Sequence, residues 1–474
     1  MTLIIIMNPT KQGHYHPAQA LLFLIVTSMA IVLLATPYYP LAVLPGLALI
    51  AIMLLGSYPH LGYYLIVFLI PFGAYRHKAD WLLAFCLVVI VLFQFATGHR
   101  GSEILRSKLW PLLLAFFSVS SISSCLSAYP SEAIKNMLFL TVCYILFSLG
   151  LLFISINSIR RNLPLLIVWS VSICALSAVY GYFFSVEYFA ENVATGGFKR
   201  GIGTSLDPNG LALLILFAIP LLAHLILYER RIIMRFLMAA LLVINLLAMV
   251  TTFSRSGLIV LCLIFCGLLV EHANKLRPKF LGLLISGAFL ALTFLFILIP
   301  ASYFERQKSL TDGGDKAMGR RSSYLLVGWD AFKKDPLLGS GPGSFPDIFS
   351  SSKYAIKFEK KGKSNRRHAH NTYLEVVVGT GILGLIIFLF IMWRALHDFS
   401  AAKKKFRIMG EREMTSLLGA YRLSFISLSI FMLTISDLYH KYLFMCLAVS
   451  QIALRCAHEK TRDTDNGIIK PDQY

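Results

Sequence analysis

Charge is scarce in this chain, and negative charge is scarcest. Only 14% of the 474 residues are charged, and 24 Asp and Glu stand against 44 Lys and Arg. A soluble domain carries about a quarter charged residues, so a hydrated globular surface is excluded. Acidic residues are also missing from the middle of every apolar run. Ion-coupled carriers place ionisable groups there, so a coupled transporter is disfavoured. No cleavable-signal pattern opens the chain, and its first long apolar run is expected to stay as a helix. The glycine run Gly339-Ser340-Gly341-Pro342-Gly343 lacks the spacing and the lysine of a P-loop, which leaves nucleotide binding unsupported. The eight cysteines all fall in or beside apolar segments and none in the long polar loop, so no disulfide framework is expected there. Cys262 and Cys266 share a helix face and read as small packing residues rather than a metal pair.

What the chain has in abundance is hydrophobicity, at 57% of residues. Apolar runs of about 20 residues, the width of a bilayer core, recur along its length. Lipid cannot satisfy backbone N–H and C=O groups, so the runs must be helices. The expected fold is all-α, a polytopic transmembrane bundle of about 12–14 spans with one large loop carrying short helices. Spans are placed near 18–36, 39–56, 61–75, 80–96, 109–128, 134–155, 163–184, 210–228, 232–250, 256–272, 280–300, 373–395, 417–436 and 440–456. This divides the chain into helices over 1–300 with an outer loop at 185–209, a large loop over 301–372, further helices over 373–457, and a polar tail over 458–474 that is expected to be disordered.

The basic clusters orient these spans. Arg100 with Arg106 and Lys108, Arg160 with Arg161, Arg230 with Arg231 and Arg235, Lys275 with Arg277 and Lys279, and Lys403–Lys405 with Arg407 all fall on one side. The positive-inside rule makes that side cytoplasmic. Because these residues sit in short loops rather than on one face, the +20 charge does not point to nucleic acid. The loop over 301–372 is translocated yet also basic, which suggests a surface for an anion; long translocated segments are largely exempt from the rule.

The residues that can carry chemistry lie on that outer face. Arg255, in Ser254-Arg255-Ser256-Gly257, either snorkels to lipid headgroups or, with its small donor-rich neighbours, grips a phosphate oxygen bidentately. Arg320 and Arg321 form a pair in the long loop that is either a solvated face or a second anion contact. Asp207 and Asn209 either begin and cap the next helix or join a site in which Arg200 is a further anion contact. His370, beside Asn371 at the entry of a helix, either caps that helix or takes a proton near neutral pH. His368 and His370 lack the carboxylate or cysteine companions of a metal site, so no metal and no other cofactor is expected.

Taken in order, Ser254-Arg255-Ser256-Gly257, Gly319-Arg320 with Trp329, Pro336–Gly341 with Phe345, His370–Glu375 and Gly379–Leu385 resemble the O-antigen ligase and polymerase superfamily. The resemblance covers roughly residues 195 to 395. It implies a bacterial inner-membrane enzyme with a large periplasmic loop. Such an enzyme moves a glycan from undecaprenyl diphosphate to an acceptor hydroxyl without metal. The acceptor is lipid A–core in ligases and a lipid-linked repeat unit in polymerases. The two essential arginines of the family match Arg255 and Arg320, with Arg321 adjoining, and its essential histidine matches His370. Ser254 and Asn371 would support them. The ligase reading is preferred, with the polymerase as alternative and a transporter more distant.

Overall fold

The computed structural model describes residues 58–73, 87–89, 91, 107–192, 199–272, 316–357 and 365–465. The spans expected near 18–36, 39–56 and 280–300, and most of 80–96, lie outside the described residues. The described chain is an all-α, multi-pass membrane protein. Its helices are α1 (Pro59–Leu69), α2 (Trp110–Cys125), α3 (Pro130–Phe153), α4 (Leu163–Phe184), α5 (Pro208–Tyr228), α6 (Ile232–Thr251), α7 (Arg255–His272), α8 (Lys316–Lys334), α9 (Phe345–Ser350), α10 (Lys353–Lys357), α11 (Thr372–Ile408), α12 (Arg412–Phe431) and α13 (Lys441–Asp465). Among the described residues, six helices (α3 to α6, α11 and α12, with a one-turn π-helix leading into α4) are long and apolar enough to cross a membrane. The only described strands, β1 (Ala190–Asn192) and β2 (Lys199–Gly201), pair antiparallel inside the 185–209 loop.

Helix α5 is the most enclosed of the six. Pro220 within it has no N–H to offer the Leu216 carbonyl one turn back. Ser427 of α12 donates to that carbonyl, and Ser424 donates to Phe217 O at 2.6 Å. Hydroxyls that satisfy backbone groups between helices are the adhesive available inside lipid, worth roughly 1 kcal/mol each. Tyr442 of α13 stacks on Phe217 at 4.4 Å and closes the third side.

Three expected boundaries move. The span near 417–436 becomes α12, ending at Phe431, because the segment after it is used elsewhere: Met432 O and Ile435 O accept from Thr372. The Lys403–Arg407 cluster is not a loop but the last turns of α11. It stays helical because Asp398, fully buried, pairs with Arg394 and accepts from Gln451, while Lys403 pairs with Glu271 of α7. The tail does not begin at His458. Helix α13 runs on to Asp465, with Lys460 on Glu411 at 2.6 Å. Cys262 and Cys266 face outward rather than into the bundle.

Among the described residues, basic side chains gather at one end of the bundle, where Glu411 holds Arg160 and Lys460 and Glu271 holds Lys403 and Arg422. At the opposite end, Ser127 donates to Ser340 O at 2.7 Å and Arg366 pairs with Glu132 at 2.9 Å. The large loop therefore closes over the turn between α2 and α3.

Candidate functional site

The centre of the end covered by the large loop is the segment His370-Asn371-Thr372-Tyr373-Leu374-Glu375, in which each neighbour of the histidine is tied down. Asn371 is extended and caps α11 by accepting from Leu374 N at 3.1 Å, as a helix N-terminus with orphan donors requires. Thr372 N donates to Met432 O at 2.8 Å, its hydroxyl donates to Ile435 O at 2.6 Å, and Tyr373 donates to Ser429 O at 2.8 Å. Leu374 lies against Gly328 of α8, where a Cβ would come within 2.6 Å of it. Glu375 reaches back, accepting from Ala369 N at 2.9 Å and meeting His368 Nδ1 at 3.1 Å. His370 itself sits at φ 50. That left-handed conformation is uncommon for histidine and is held here by anchors on both sides.

Helix α8 forms the roof. Ser323, Tyr324, Val327, Gly328 and Ala331 are its buried stripe. The Tyr324 ring lies 6.1 Å from the His370 ring and 5.0 Å from Phe349 of α9. Arg321, one turn before Tyr324, is exposed beside this stripe. Helical spacing sets Arg320 on the stripe, in register with Ser323, Tyr324 and Val327; its side chain lies outside the described residues.

The second wall is the 199–209 loop together with the turn between α6 and α7. Asp207 caps α5 by accepting from Gly210 N. Arg200 donates from Nε to Thr252 O at 2.8 Å and from Nη2 to Asn209 Oδ1 at 3.4 Å. Ser254 donates to Asn209 Oδ1 at 3.1 Å and accepts from Gly257 N at 3.2 Å, capping α7. Asn209 is thus a junction rather than a cap. Arg200 is braced against the turn that carries Arg255, which opens α7 and is half-buried.

Both walls act on His370. The residue keeps contact with solvent, yet the protein crowds its imidazole. That crowding holds its pKa below the ordinary histidine value, and the charge of Arg321 pushes the same way, with His368 adding to it. Glu375 and Asp207 pull in the opposite direction. His368 behaves oppositely: its bond to Glu375 raises its pKa. The two histidines of the His-Ala-His segment therefore differ, His370 favouring the neutral ring and His368 the charged one.

The glycine-rich run contributes architecture. Helix α11 breaks at Gly381, with φ 66 and ψ −169, and leaves carbonyls without helical partners. Ser340 N donates to Val378 O at 2.8 Å, Gly341 N to Gly379 O at 3.0 Å, and Ser123 of α2 to Gly379 O at 2.7 Å. In return, Ile382 N donates to Pro336 O at 2.9 Å. Pro336–Gly343 and Gly379–Gly384 are one interlock, and it fixes the end of α8 against α11.

Three residues of the site were not read from the sequence. Tyr324 carried a signal, lying one turn past the arginine pair. Glu375 stands four residues after Asn371, the spacing that returns to the same helix face. Arg366 belonged to the basic loop expected to attract an anion, but it is held by Glu132 and Asp347, at 2.9 Å each, and braces the segment leading to His370.

The helical membrane bundle thus gathers Arg200, Arg255, Arg321 and a neutral-leaning His370 at one end. Residues 240–389 match the family model described as O-antigen ligase. This stretch carries an O-antigen ligase-type domain, which with the apolar helices supports a membrane enzyme of the ligase or polymerase type. The matched segment contains Arg255, Arg320, Arg321 and His370, while Arg200, Asp207 and Asn209 precede it. No curated protein matches the chain.

Proposed function

We propose that the protein transfers a glycan from an undecaprenyl diphosphate carrier to an acceptor hydroxyl at the periplasmic face of the bacterial inner membrane. The acceptor in this reading is lipid A–core, which makes the protein an O-antigen ligase. The observation that carries the proposal is the setting of His370, held at the cap of α11 with its ring 6.1 Å from that of Tyr324 on α8, where burial and the nearby Arg321 lower its pKa.

Arg255 and Arg320 bind the diphosphate, with Arg321 and Arg200 adding to the local positive field. Negative charge on the leaving diphosphate grows as the glycosidic bond breaks, and donors fixed in advance stabilise it without reorganising. His370, neutral at pH 7, accepts the proton of the acceptor hydroxyl. The acceptor oxygen attacks the anomeric carbon from the face opposite the diphosphate, inverting its configuration. Glu375, through Ala369, and Asn371, through the cap of α11, position the ring. The diphosphate also offsets the positive charge that weakens the imidazole as a base, so donor binding strengthens His370 as a proton acceptor. No metal takes part in this reading.

The test is transfer by the purified protein in nanodiscs, with a lipid-linked glycan donor and two acceptors in parallel. Product on lipid A–core supports the ligase. Product only on a second lipid-linked unit makes it a polymerase, and no product on either, with donor shown to bind, overturns the transferase reading.

A further inference from the structure

One cavity among the described residues lies away from His370. It occupies about 740 Å³ between the C-terminal half of α8, the Pro336–Ser340 loop, α9 and α10, and the turn before α3. Its lining begins at Val327 and Ala331 of α8. Ala331 is two turns beyond the Tyr324 that touches His370, about 10 Å along the helix. The cleft thus shares its wall with the proposed reaction centre but opens further out on the loop. None of the chemistry proposed above uses it.

Its lining narrows the ligand. Asp330 and Asp335 line it, and Asp330 is shared with Lys333 at 3.0 Å. Two carboxylates disfavour a phosphate or other anion. Lys334 and Lys353 also line it, which disfavours a cation. Leu126, Leu337 and Ile348 also line the wall, so the ligand must carry apolar faces, but a purely apolar ligand would strip water from four charged groups with no compensating bonds. What remains is a neutral ligand rich in hydroxyls, which can donate to the carboxylates and accept from the ammonium groups. The half-buried rings of Tyr129 and Tyr354 line the same space and offer apolar faces with a hydroxyl at the edge. Acidic, basic and hydroxyl groups interleaved with tyrosine faces suit the alternating C–H and O–H surfaces of sugar rings. The volume lies within the 300–1,000 Å³ typical of ligand sites and accommodates several rings.

We propose that this cleft binds an oligosaccharide, the stretch of glycan remote from the sugar that reacts at His370, and so makes the enzyme sensitive to glycan length. This rests on the glycan-transfer reading above. The glycan belongs either to the donor or to the acceptor, whose sugars have the same chemistry.

The experiment uses the full chain in nanodiscs and oligosaccharides of one and of several repeat units, released by mild acid from the host's own polyprenyl-linked glycan. Two variants perturb the cleft. Tyr354→Ala removes a ring, and Ser351→Trp, at an exposed position on the lining, fills the space. The longer oligosaccharide is expected to bind the unmodified protein, and each variant to weaken it roughly tenfold. The ratio of long- to short-glycan transfer should fall by the same factor. Varying glycan length on the donor with a fixed acceptor, and then the reverse, identifies the source. Binding and length preference untouched by both variants overturn the cleft. Binding that the variants abolish in a protein that transfers nothing leaves the cleft standing and overturns the transferase reading instead.

Discussion

Replacing Gly381 by alanine tests whether the break in α11 organises the site. The perturbation is one methyl group. At φ 66 and ψ −169, Gly381 occupies a region open essentially to glycine alone, and an L-residue there costs about 1–3 kcal/mol. The added Cβ would also lie 2.2 Å from Leu337 O and 2.6 Å from Leu338 N, both backbone atoms. The Pro336–Gly343 loop must therefore retreat. Its retreat puts three hydrogen bonds at risk, from Ser340 N, Gly341 N and Ile382 N, each worth about 1 kcal/mol. The expected loss is roughly 3–6 kcal/mol, and α8 is freed from α11. Gly410→Ala is the control: it has φ 78 but no atom within 4 Å of a Cβ, and it lies at the other end of α11. It should cost about 1–2 kcal/mol from its backbone conformation alone and spare transfer. The assay is thermal unfolding in detergent alongside glycan transfer for both variants. A Gly381→Ala protein that melts and transfers like the unmodified one would refute the interlock.

Further outcomes are expected at the site itself. His370→Ala should lose about 10²–10⁴ in transfer while still retaining lipid-linked donor; donor release without loss of rate in single-turnover assays would show another role. Arg255→Ala and Arg320→Ala should each lose roughly 10²-fold, with lysine rescuing only in part, and undiminished transfer at normal protein level removes either from the site. Because its pKa is lowered, His370 stays neutral somewhat below the ordinary histidine range, and transfer should fall only as pH drops beneath it. Removing the positive charge in Arg321→Ala lets that pKa rise, so the acid limb should move to higher pH; a shift to lower pH contradicts the charge argument. Transfer should persist in EDTA, and restoration by a divalent ion after its loss would return His368 and His370 to consideration as ligands. Cysteines introduced at Ser351 and Lys404 should label from opposite sides of the membrane, and labelling from one side defeats the topology.

The amino-acid sequence by itself determined the class of the fold. Apolar runs of bilayer length admit only helices, and scarce charge with clustered arginines and lysines sets the ends of the bundle. It also supplied residue types: Arg255, Arg320 and His370 stood out because charge and imidazole are rare beside so much leucine. Local order was legible where one residue decides it, as with Asp207 capping α5. Partners distant in sequence were not legible. Glu132 and Asp347 claim Arg366, so a cation that looked available for an anion is already paired. The turns after α12 hold Thr372 and Tyr373, and no local pattern announces that a span ends early to do so. Gly381 lay inside an expected span and Gly339 in a glycine-rich run of the loop; only their approach across about forty residues of chain makes them one lock. The direction of the His370 pKa shift was decided last and mainly by tertiary structure. Crowding comes first, then the charge that packing brings from Arg321 on α8, while Asp207 of the 199–209 loop and the neighbours His368 and Glu375 adjust it.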